Sequence, residues 1–173
     1  MDIFEAIRGR RSIRSFKDEP VDEEDLRKIL EAGALAPSAG NCQPWDFVVV
    51  RSKEVKEKLS AAALGQEHVV EAPVVVVVCA NVKRSSSRYG RRGAELYCIQ
   101  DTAAAVQNMM LAAHALGYGA CWVGAFDDEK AAKIIGTPAG VRPVAIIPIG
   151  RPAEKPRVPS RLPLNQVVHE ESF

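Results

Sequence analysis

Three arginines and a serine lie close together near the start of the chain: Arg10, Arg11, Ser12 and Arg14. Guanidinium groups bind phosphate through paired hydrogen bonds, and a serine hydroxyl can add a further contact. The segment therefore predicts a site for a phosphate-bearing ligand. A solvated basic turn is the simpler interpretation when the segment is taken alone. A nucleic-acid contact is a third interpretation, but no aromatic residues are interleaved and the net charge is only +1, so we expect no nucleic-acid partner.

A second candidate segment, 36–45, reads APSAGNCQPW and is rich in turn-forming residues. Its small residues would let the backbone lie close to a flat ligand, while Ser38 and Asn41 can offer uncharged hydrogen bonds. These properties suit a heteroaromatic ring with polar edges. An ordinary connecting loop is the alternative.

A third candidate segment, 119–126, reads GACWVGAF, and Arg151 follows the last predicted strand. A glycine after a strand-like run could present a backbone amide to a ligand atom. A buried strand explains the same residues equally well. Arg151 could close on a phosphate, although an isolated surface arginine is the commoner explanation.

The chain lacks the motifs that would carry chemistry on their own. It contains no GxGxxG, GxxxxGK[ST], GxSxG or HExxH motif. Its acids fall mainly at predicted helix starts, where capping explains them. The four cysteines, Cys42, Cys79, Cys98 and Cys121, form no CxxC pair, and the histidines show no ligand spacing, so we expect reduced thiols and no metal. A bound cofactor would have to supply the reactivity.

The length of 173 residues and the 47% hydrophobic content suit a single globular domain. No apolar run approaches the roughly 20 residues that a membrane-spanning helix requires. The amino terminus does not resemble a secretory signal, since no apolar stretch follows its basic residues. We therefore expect a cytoplasmic protein without a membrane partner.

Local patterns predict most of the elements that would position these segments. Asp22, Ser52 and Asp127 are each suited to capping a helix. The expected helices end near residue 9, begin after residues 22, 52 and 127, and span 94–116; the expected strands span 46–51, 73–80 and 141–149. Because strands and helices alternate irregularly, the predicted class is α+β, α/β-like, with helices around one mixed central sheet.

Two segments carry no clear periodicity. Residues 81–93, with three serines and four arginines, are expected to form a mobile polar loop. Residues 152–173 are interrupted by prolines and have no core of their own, so we expect an extended arm that wraps around a second subunit.

Taken in order, these segments resemble the FMN-dependent nitroreductase family, and specifically its small single-domain members. The resemblance rests on RRSIRSF after the first helix, APSAGNCQPW after the second, Ala72-Pro73 before five valines, QDTAAAVQNMMLAAHALGYGACWVGAF, and a terminal IGRP. It covers essentially the whole chain. It implies one FMN-binding domain over 1–173 and an intertwined homodimer with two sites, each built from both subunits.

The resemblance also implies roles for particular residues. Arg10 and Ser12 would hold the phosphate and ribityl end, with Arg11 nearby, while Arg14 would lie at the pyrimidine edge and stabilise the reduced flavin electrostatically. Arg151, after the last strand, would also contact the phosphate. The remaining positions implied are Pro37, Ser38, Ala39 and Asn41 from the partner subunit, a backbone amide of Val123 or Gly124 at flavin N5, and Gln66. Some members carry a lysine where this chain has Ile149, so its phosphate clamp would contain fewer charges.

The implied reaction is ping-pong: NADH or NADPH delivers hydride to the flavin, and a nitroaromatic, quinone or related conjugated acceptor then takes its place. Arg88, Arg91 and Arg92 could attract a nicotinamide phosphate, with solvated loop charge as the alternative. Two other functions remain open at this point. One is a protein that stores or senses flavin without turnover, and the other is a different flavin reaction, such as dehalogenation, on the same scaffold.

Overall fold

The computed structural model describes residues 1–173 and contains seven α-helices and four strands. The helices are α1 (Ile3–Gly9), α2 (Glu23–Ala34), α3 (Lys53–Ala62), α4 (His68–Glu71), α5 (Val82–Arg92), α6 (Cys98–Ala115) and α7 (Asp128–Ile135). The strands are β1 (Trp45–Val50), β2 (Val74–Asn81), β3 (Gly119–Ala120) and β4 (Val141–Gly150). Single 3-10 turns cover Ala39–Asn41 and Leu164–Gln166, and a π-helical turn covers Gly93–Tyr97. These elements confirm the predicted α+β class.

The strands form one sheet in the order β1-β2-β4-β3. All of its ladders are antiparallel, with Val77 opposite both Val48 and Ile146 in the centre. The only parallel pairing is an isolated bridge between Ser12 and Ala120. The predicted mixed sheet is therefore mixed only through this bridge.

The sheet has a hydrophobic layer on each face because successive side chains of β2 point to opposite sides. Val76 packs with Ile29 of α2 and Met109 of α6, whereas Val77 packs with Leu59 of α3 on the other face. β2 is buried along almost its whole length, as the run of valines predicted.

Local capping defines most of the helix starts. Asp22, Ser52 and Asp127 each accept a backbone hydrogen bond from the first turn of α2, α3 and α7, which confirms all three predicted caps. Helix α7 ends at Gly136 in the left-handed conformation, with φ of 69°. No helix is both long and apolar enough to cross a membrane.

The prediction of a mobile loop over 81–93 was wrong. Asn81 ends β2, residues Val82–Arg92 form α5 with a kink at Gly90 (φ 53°, ψ −135°), and Gly93 begins the π-helical turn. The helix has hardly any apolar residues, so hydrophobic periodicity could not reveal it. It is held instead by Asn81, which caps Arg84, and by buried Ser85. The π-helical turn also moves the start of α6 to Cys98, four residues beyond the expected start of that helix.

Candidate functional site

The clustered basic residues near the amino terminus line one cleft. Arg10, Arg11, Ser12 and Arg14 share a cavity of about 320 Å³ with residues of the carboxyl-terminal arm, and all of its lining residues are arginine, serine or proline. Burial, together with Arg161 and Arg11, lowers the pKa of Arg10, which shows that cationic charge is concentrated here. The lining side chains include no carboxylate, and the one acid beside them, Glu154, accepts the backbone N–H of Arg14, so the arginine side chains stay available to an anionic ligand.

Sequence reasoning missed the contribution of the arm to this cleft. Arg157 and Arg161 complete its cationic lining, beside Pro156 and Pro159. The repeated alternation of arginine with proline in an otherwise featureless segment was the available signal. Because proline restricts the backbone, such a segment can hold arginines in an extended arrangement.

Close backbone contacts position the basic segment. Ile13 donates its N–H to Ala120 O at 3.0 Å, next to the parallel bridge between Ser12 and Ala120. Gly119 makes this approach possible, since a Cβ at that position would lie 2.6 Å from Ile13 Cγ1. Further along, Lys17 donates to Arg151 O at 2.9 Å. These backbone hydrogen bonds hold the basic segment in a defined position.

The side chain of Arg151 is not part of the basic cleft. Its guanidinium lies 4.0 Å from the centre of the Tyr118 ring and donates to Leu116 O at 3.2 Å. Tyr118 lines a neighbouring cavity of about 420 Å³ that shares Arg10 and Arg11 with the basic cleft. In the single chain, the side chain of Arg151 therefore contacts Tyr118 and does not line the anion pocket of Arg10.

The segment before β1 forms a tight turn. Gly40 and Asn41 have φ of 53° and 54°, in the left-handed region that glycine and asparagine tolerate best. Ser38 Oγ accepts a hydrogen bond from Gln43 N at 3.0 Å, and the turn begins directly after Pro37. Ala39 N–H donates to Asp101 Oδ1 at 3.1 Å, which ties the turn to the first residues of α6.

Asp101 was not singled out from the sequence. Its second carboxylate oxygen is buried without a hydrogen-bond partner, and burial raises the pKa of Asp101 despite the opposing bond from Ala39. A lone acid followed by apolar residues in a long helix was the signal that could have identified it.

The third segment offers one free amide. Val123 is buried, and its N–H donates to Ile146 O at 2.9 Å. Gly124 is exposed, and its N–H makes no hydrogen bond in the structure. Gln66 Nε2 donates to Ala125 O at 3.1 Å and so supports the same stretch. Of the two amides considered, that of Gly124 is available to a ligand.

The cysteines and histidines form no obvious reactive centre. Burial raises the pKa of Cys79 to about 12 and also raises that of Cys121, so both thiols are protonated at neutral pH. All four cysteines are free. No group of three or more histidine, cysteine or acidic side chains is arranged to hold a metal ion.

The candidate residues fall into two groups at opposite ends of α6. The basic segment packs beside its carboxyl end, where Gly9 meets His114, and the turn after Pro37 lies at Asp101 near its start. At 1.5 Å per residue, these contacts are about 20 Å apart along the helix axis. Gly124 lines a pocket of about 290 Å³ together with Ile99, so it lies near the amino end of α6.

Comparison with known protein families shows which family has this fold and this arrangement of residues. The sequence profile of the Nitroreductase family matches residues 7–71 and 63–151, and the chain belongs to this family. A Methanothermobacter thermautotrophicus protein with the provisional name NADH dehydrogenase/NAD(P)H nitroreductase is 41% identical over 160 residues, covering 90% of this chain and 80% of its own. The FMN reductase [NAD(P)H] of Bacillus subtilis is 31% identical over 185 residues, covering 99% and 74%.

Solved structures agree with this assignment. The NADPH:FMN oxidoreductase of Vibrio harveyi, solved in complex with NAD+, superposes with a TM-score of 0.91 at 28% identity, covering 98% of this chain and 77% of that one. Nitroreductase A of Vibrio parahaemolyticus gives a TM-score of 0.91 at 30% identity, covering 98% and 75%.

Proposed function

We propose that this protein is an FMN-dependent NAD(P)H oxidoreductase that reduces nitroaromatic, quinone or related conjugated acceptors. One observation carries the proposal: arginines from both ends of the chain converge with Ser12 on a cleft whose other lining residues are prolines. That lining fits the phosphate of FMN. The names of family relatives, which include FMN reductase and oxygen-insensitive NADPH nitroreductase, support the cofactor and the electron donor.

The basic cleft would hold the phosphate end of FMN. Arg10 and Ser12 would bind the phosphate with Arg11 beside them, and Arg151 would reach it after moving from the ring of Tyr118. Arg14 would lie at the pyrimidine edge, where a positive charge stabilises negative charge on the reduced ring. Bound FMN would supply the two-electron redox step.

The remaining contacts would orient the ring. The free N–H of Gly124 would face N5 of the flavin, supported from behind by Gln66 and buried Val123. Pro37, Ser38, Ala39 and Asn41 would contact the flavin through a turn whose backbone is already ordered. In this arrangement the protein binds and orients the cofactor and restricts access of water to it.

A homodimer would bring the two groups together. They lie about 20 Å apart in one chain by helix geometry, which is too far for both to contact one flavin ring. Two chains with antiparallel α6 helices would place the Ala39 turn of one beside the Arg10 segment of the other. The exposed apolar side chains of α1, which are Ile3, Phe4 and Ile7, support such an interface.

We further propose that residues 1–173 form one FMN-binding domain and that 152–173 serve as an arm in the dimer. Most of the arm is exposed, and it carries the large apolar residues Val158, Leu162, Leu164, Val167, Val168 and Phe173 at its surface. Such a surface would be covered by a second subunit. The four free thiols are consistent with a cytoplasmic location.

The test is flavin binding followed by turnover. Protein purified and mixed with FMN should show the absorbance of bound flavin, and it should oxidise NADH or NADPH when a quinone or nitroaromatic acceptor is added. Arg10→Ala should weaken FMN binding about tenfold or more, corresponding to roughly 1.4 kcal/mol or more. The matched control is Arg8→Ala, because Arg8 is an exposed arginine of α1 outside the cleft.

The outcomes separate the alternatives. If the protein binds flavin but oxidises neither NADH nor NADPH, the result would indicate a protein that stores or senses flavin. Equal FMN affinity in Arg10→Ala and the native protein would remove the phosphate assignment. Size-exclusion chromatography that finds a flavin-loaded monomer would contradict the shared site.

A further inference from the structure

Helix α5 is strongly cationic and contains no acidic residue. Two of its arginines form ion pairs with acids outside the helix: Arg84 with Asp46 at 2.9 Å, and Arg91 with Glu95 at 3.3 Å. Arg88 and Arg92 instead donate to uncharged oxygens, and both are exposed. These two guanidinium groups therefore have no carboxylate partner.

Arg88 lies against the turn that precedes β1. It donates to Gly40 O at 2.8 Å, and its guanidinium is 5.6 Å from the centre of the Tyr89 ring. A Cβ on Gly40 would lie only 2.4 Å from the Tyr89 hydroxyl. Arg88 and Tyr89 thus form one edge of the turn proposed to contact the flavin.

The π-helical turn places Arg92 beside Tyr97. Residues five apart are not on the same face of an α-helix, but a π-helix brings them together. Arg92 Nε donates to the Tyr97 hydroxyl at 2.9 Å, with the guanidinium 5.3 Å from the ring centre. The rings of Tyr89 and Tyr97 meet edge to face at 5.2 Å. Arg88, Tyr89, Arg92 and Tyr97 therefore form one continuous surface, the α5 patch.

The chemistry of this patch suits a phosphorylated nucleoside. A guanidinium has five N–H donors, and each of these two arginines uses one donor within the protein. The remaining donors can form the paired hydrogen bonds that phosphate accepts. The adjacent half-buried tyrosine rings can stack against a base.

We propose that the α5 patch binds a phosphate of the nicotinamide nucleotide, with Arg92 and Arg88 as its ligands. This inference rests on the proposed function, because the patch adjoins Gly40 of the turn assigned to the flavin site. The phosphate is either the 2′-phosphate that only NADPH carries or the pyrophosphate common to both nucleotides. The first source would give a preference for NADPH, and the second would not.

The test compares Arg92→Ala with Arg91→Ala. Both variants remove one arginine from the same exposed surface, but Arg91 is paired with Glu95 and lies outside the patch. Arg92→Ala should raise the KM for NADPH about tenfold, as expected when one charged hydrogen-bonded contact is lost. Tyr97→Phe should raise it less, because the ring remains and only the anchor of Arg92 is lost. Arg91→Ala should leave the KM near the native value.

A parallel measurement does not depend on turnover. Calorimetric titration of the native protein with adenosine 2′,5′-bisphosphate and with AMP should show binding that Arg92→Ala weakens and Arg91→Ala retains. A rise in KM for NADPH alone identifies the 2′-phosphate, and a rise for both nucleotides identifies the pyrophosphate. Either result supports the proposal.

The proposal is overturned if the native protein binds neither adenine nucleotide, or if Arg92→Ala and Arg91→Ala behave alike in both measurements. Failure of the proposed function would look different: the protein would show no bound flavin and no NAD(P)H oxidation, while the titrations would still report on the patch. Arg88→Ala serves as a second variant, with its flavin absorbance checked first because Arg88 contacts Gly40.

Discussion

Ala39 donates its backbone N–H to Asp101 Oδ1 at 3.1 Å, so a carboxylate buried in α6 holds the turn before β1 in place. The contact joins residues that are far apart in sequence and assigns a structural role to an acid in an otherwise apolar helix face. It also explains how a turn with two successive left-handed residues stays ordered without regular strand pairing.

Replacing Asp101 separates the hydrogen bond from the charge. Asp101→Ala should lower the free energy of unfolding by about 1–3 kcal/mol, because the N–H of Ala39 loses its acceptor. Asp101→Asn keeps an acceptor oxygen and removes a buried charge whose pKa is raised, so it should be at least as stable as the native protein near neutral pH. Urea unfolding measures both. Equal losses in the two variants would show that the charge, and not the acceptor, stabilises the turn.

Arg14 should set the flavin potential. Arg14→Gln removes a cation from the basic cleft and should lower the midpoint potential of bound FMN by tens of millivolts, where about 30 mV corresponds to 1.4 kcal/mol for a two-electron couple. Spectroelectrochemical titration of the flavin-loaded variant measures this change, with Arg8→Ala as the charge-matched control. An unchanged potential in a fully loaded Arg14→Gln variant would remove the assignment.

Gly119→Ala should displace the basic segment, because Gly119 packs directly against Ile13. The new Cβ would lie 2.6–2.9 Å from three side-chain carbons of Ile13, so either Ile13 or the backbone must move. We expect a loss of about 1–3 kcal/mol in unfolding free energy, typical of overpacking, together with weaker FMN binding. Ile13→Ala removes two of the three crowded carbons, Cγ1 and Cγ2, so the losses of the two single variants should be less than additive in the double variant. Additive losses would indicate that Gly119 matters for another reason.

His68 should make stability depend on pH. Burial, and then the nearby charge of Arg14, lower the pKa of His68 below its ordinary 6.5, and its Nε2 is buried without a partner. The unfolded state therefore binds the proton more readily, so the stability present above the unfolded pKa is lost as pH falls toward the folded pKa. Unfolding followed from about pH 7.5 to about pH 5 should show a steeper loss in the native protein than in His68→Gln. His169→Gln, in the exposed arm, is the control and should retain the native slope.

Several features could be predicted because their causes are local. The caps at Asp22, Ser52 and Asp127 depend on side chains that bond to backbone groups two or three residues away. The burial of β2 follows from five adjacent valines, which only a central strand can accommodate. The resemblance to a family added the ordered set of candidate segments, which no local pattern could provide.

Helix α5 could not be predicted from local sequence patterns. Its serines and arginines carry no hydrophobic period, so a loop was the natural expectation for 81–93. The helix forms because Arg84 binds Asp46 and Arg88 binds Gly40, both more than thirty residues away. The sequence could therefore name Arg88, Arg91 and Arg92 as candidates for a nicotinamide phosphate. It could not show that Arg88 and Arg92 share a surface with Tyr89 and Tyr97 while Arg91 pairs with Glu95.

The sequence alone determined the class of fold, the caps, the central strand and the types of residue able to bind a phosphorylated cofactor, because each depends on composition or on neighbours within a few residues. Which of these residues meet in space depends on the packing of the whole chain. The tertiary structure added Arg157 and Arg161 to the cleft of Arg10, turned the side chain of Arg151 toward Tyr118, and left the amide of Gly124 free while engaging that of Val123. These outcomes depend on contacts between segments that are far apart in the sequence, and such contacts form only when the whole chain folds.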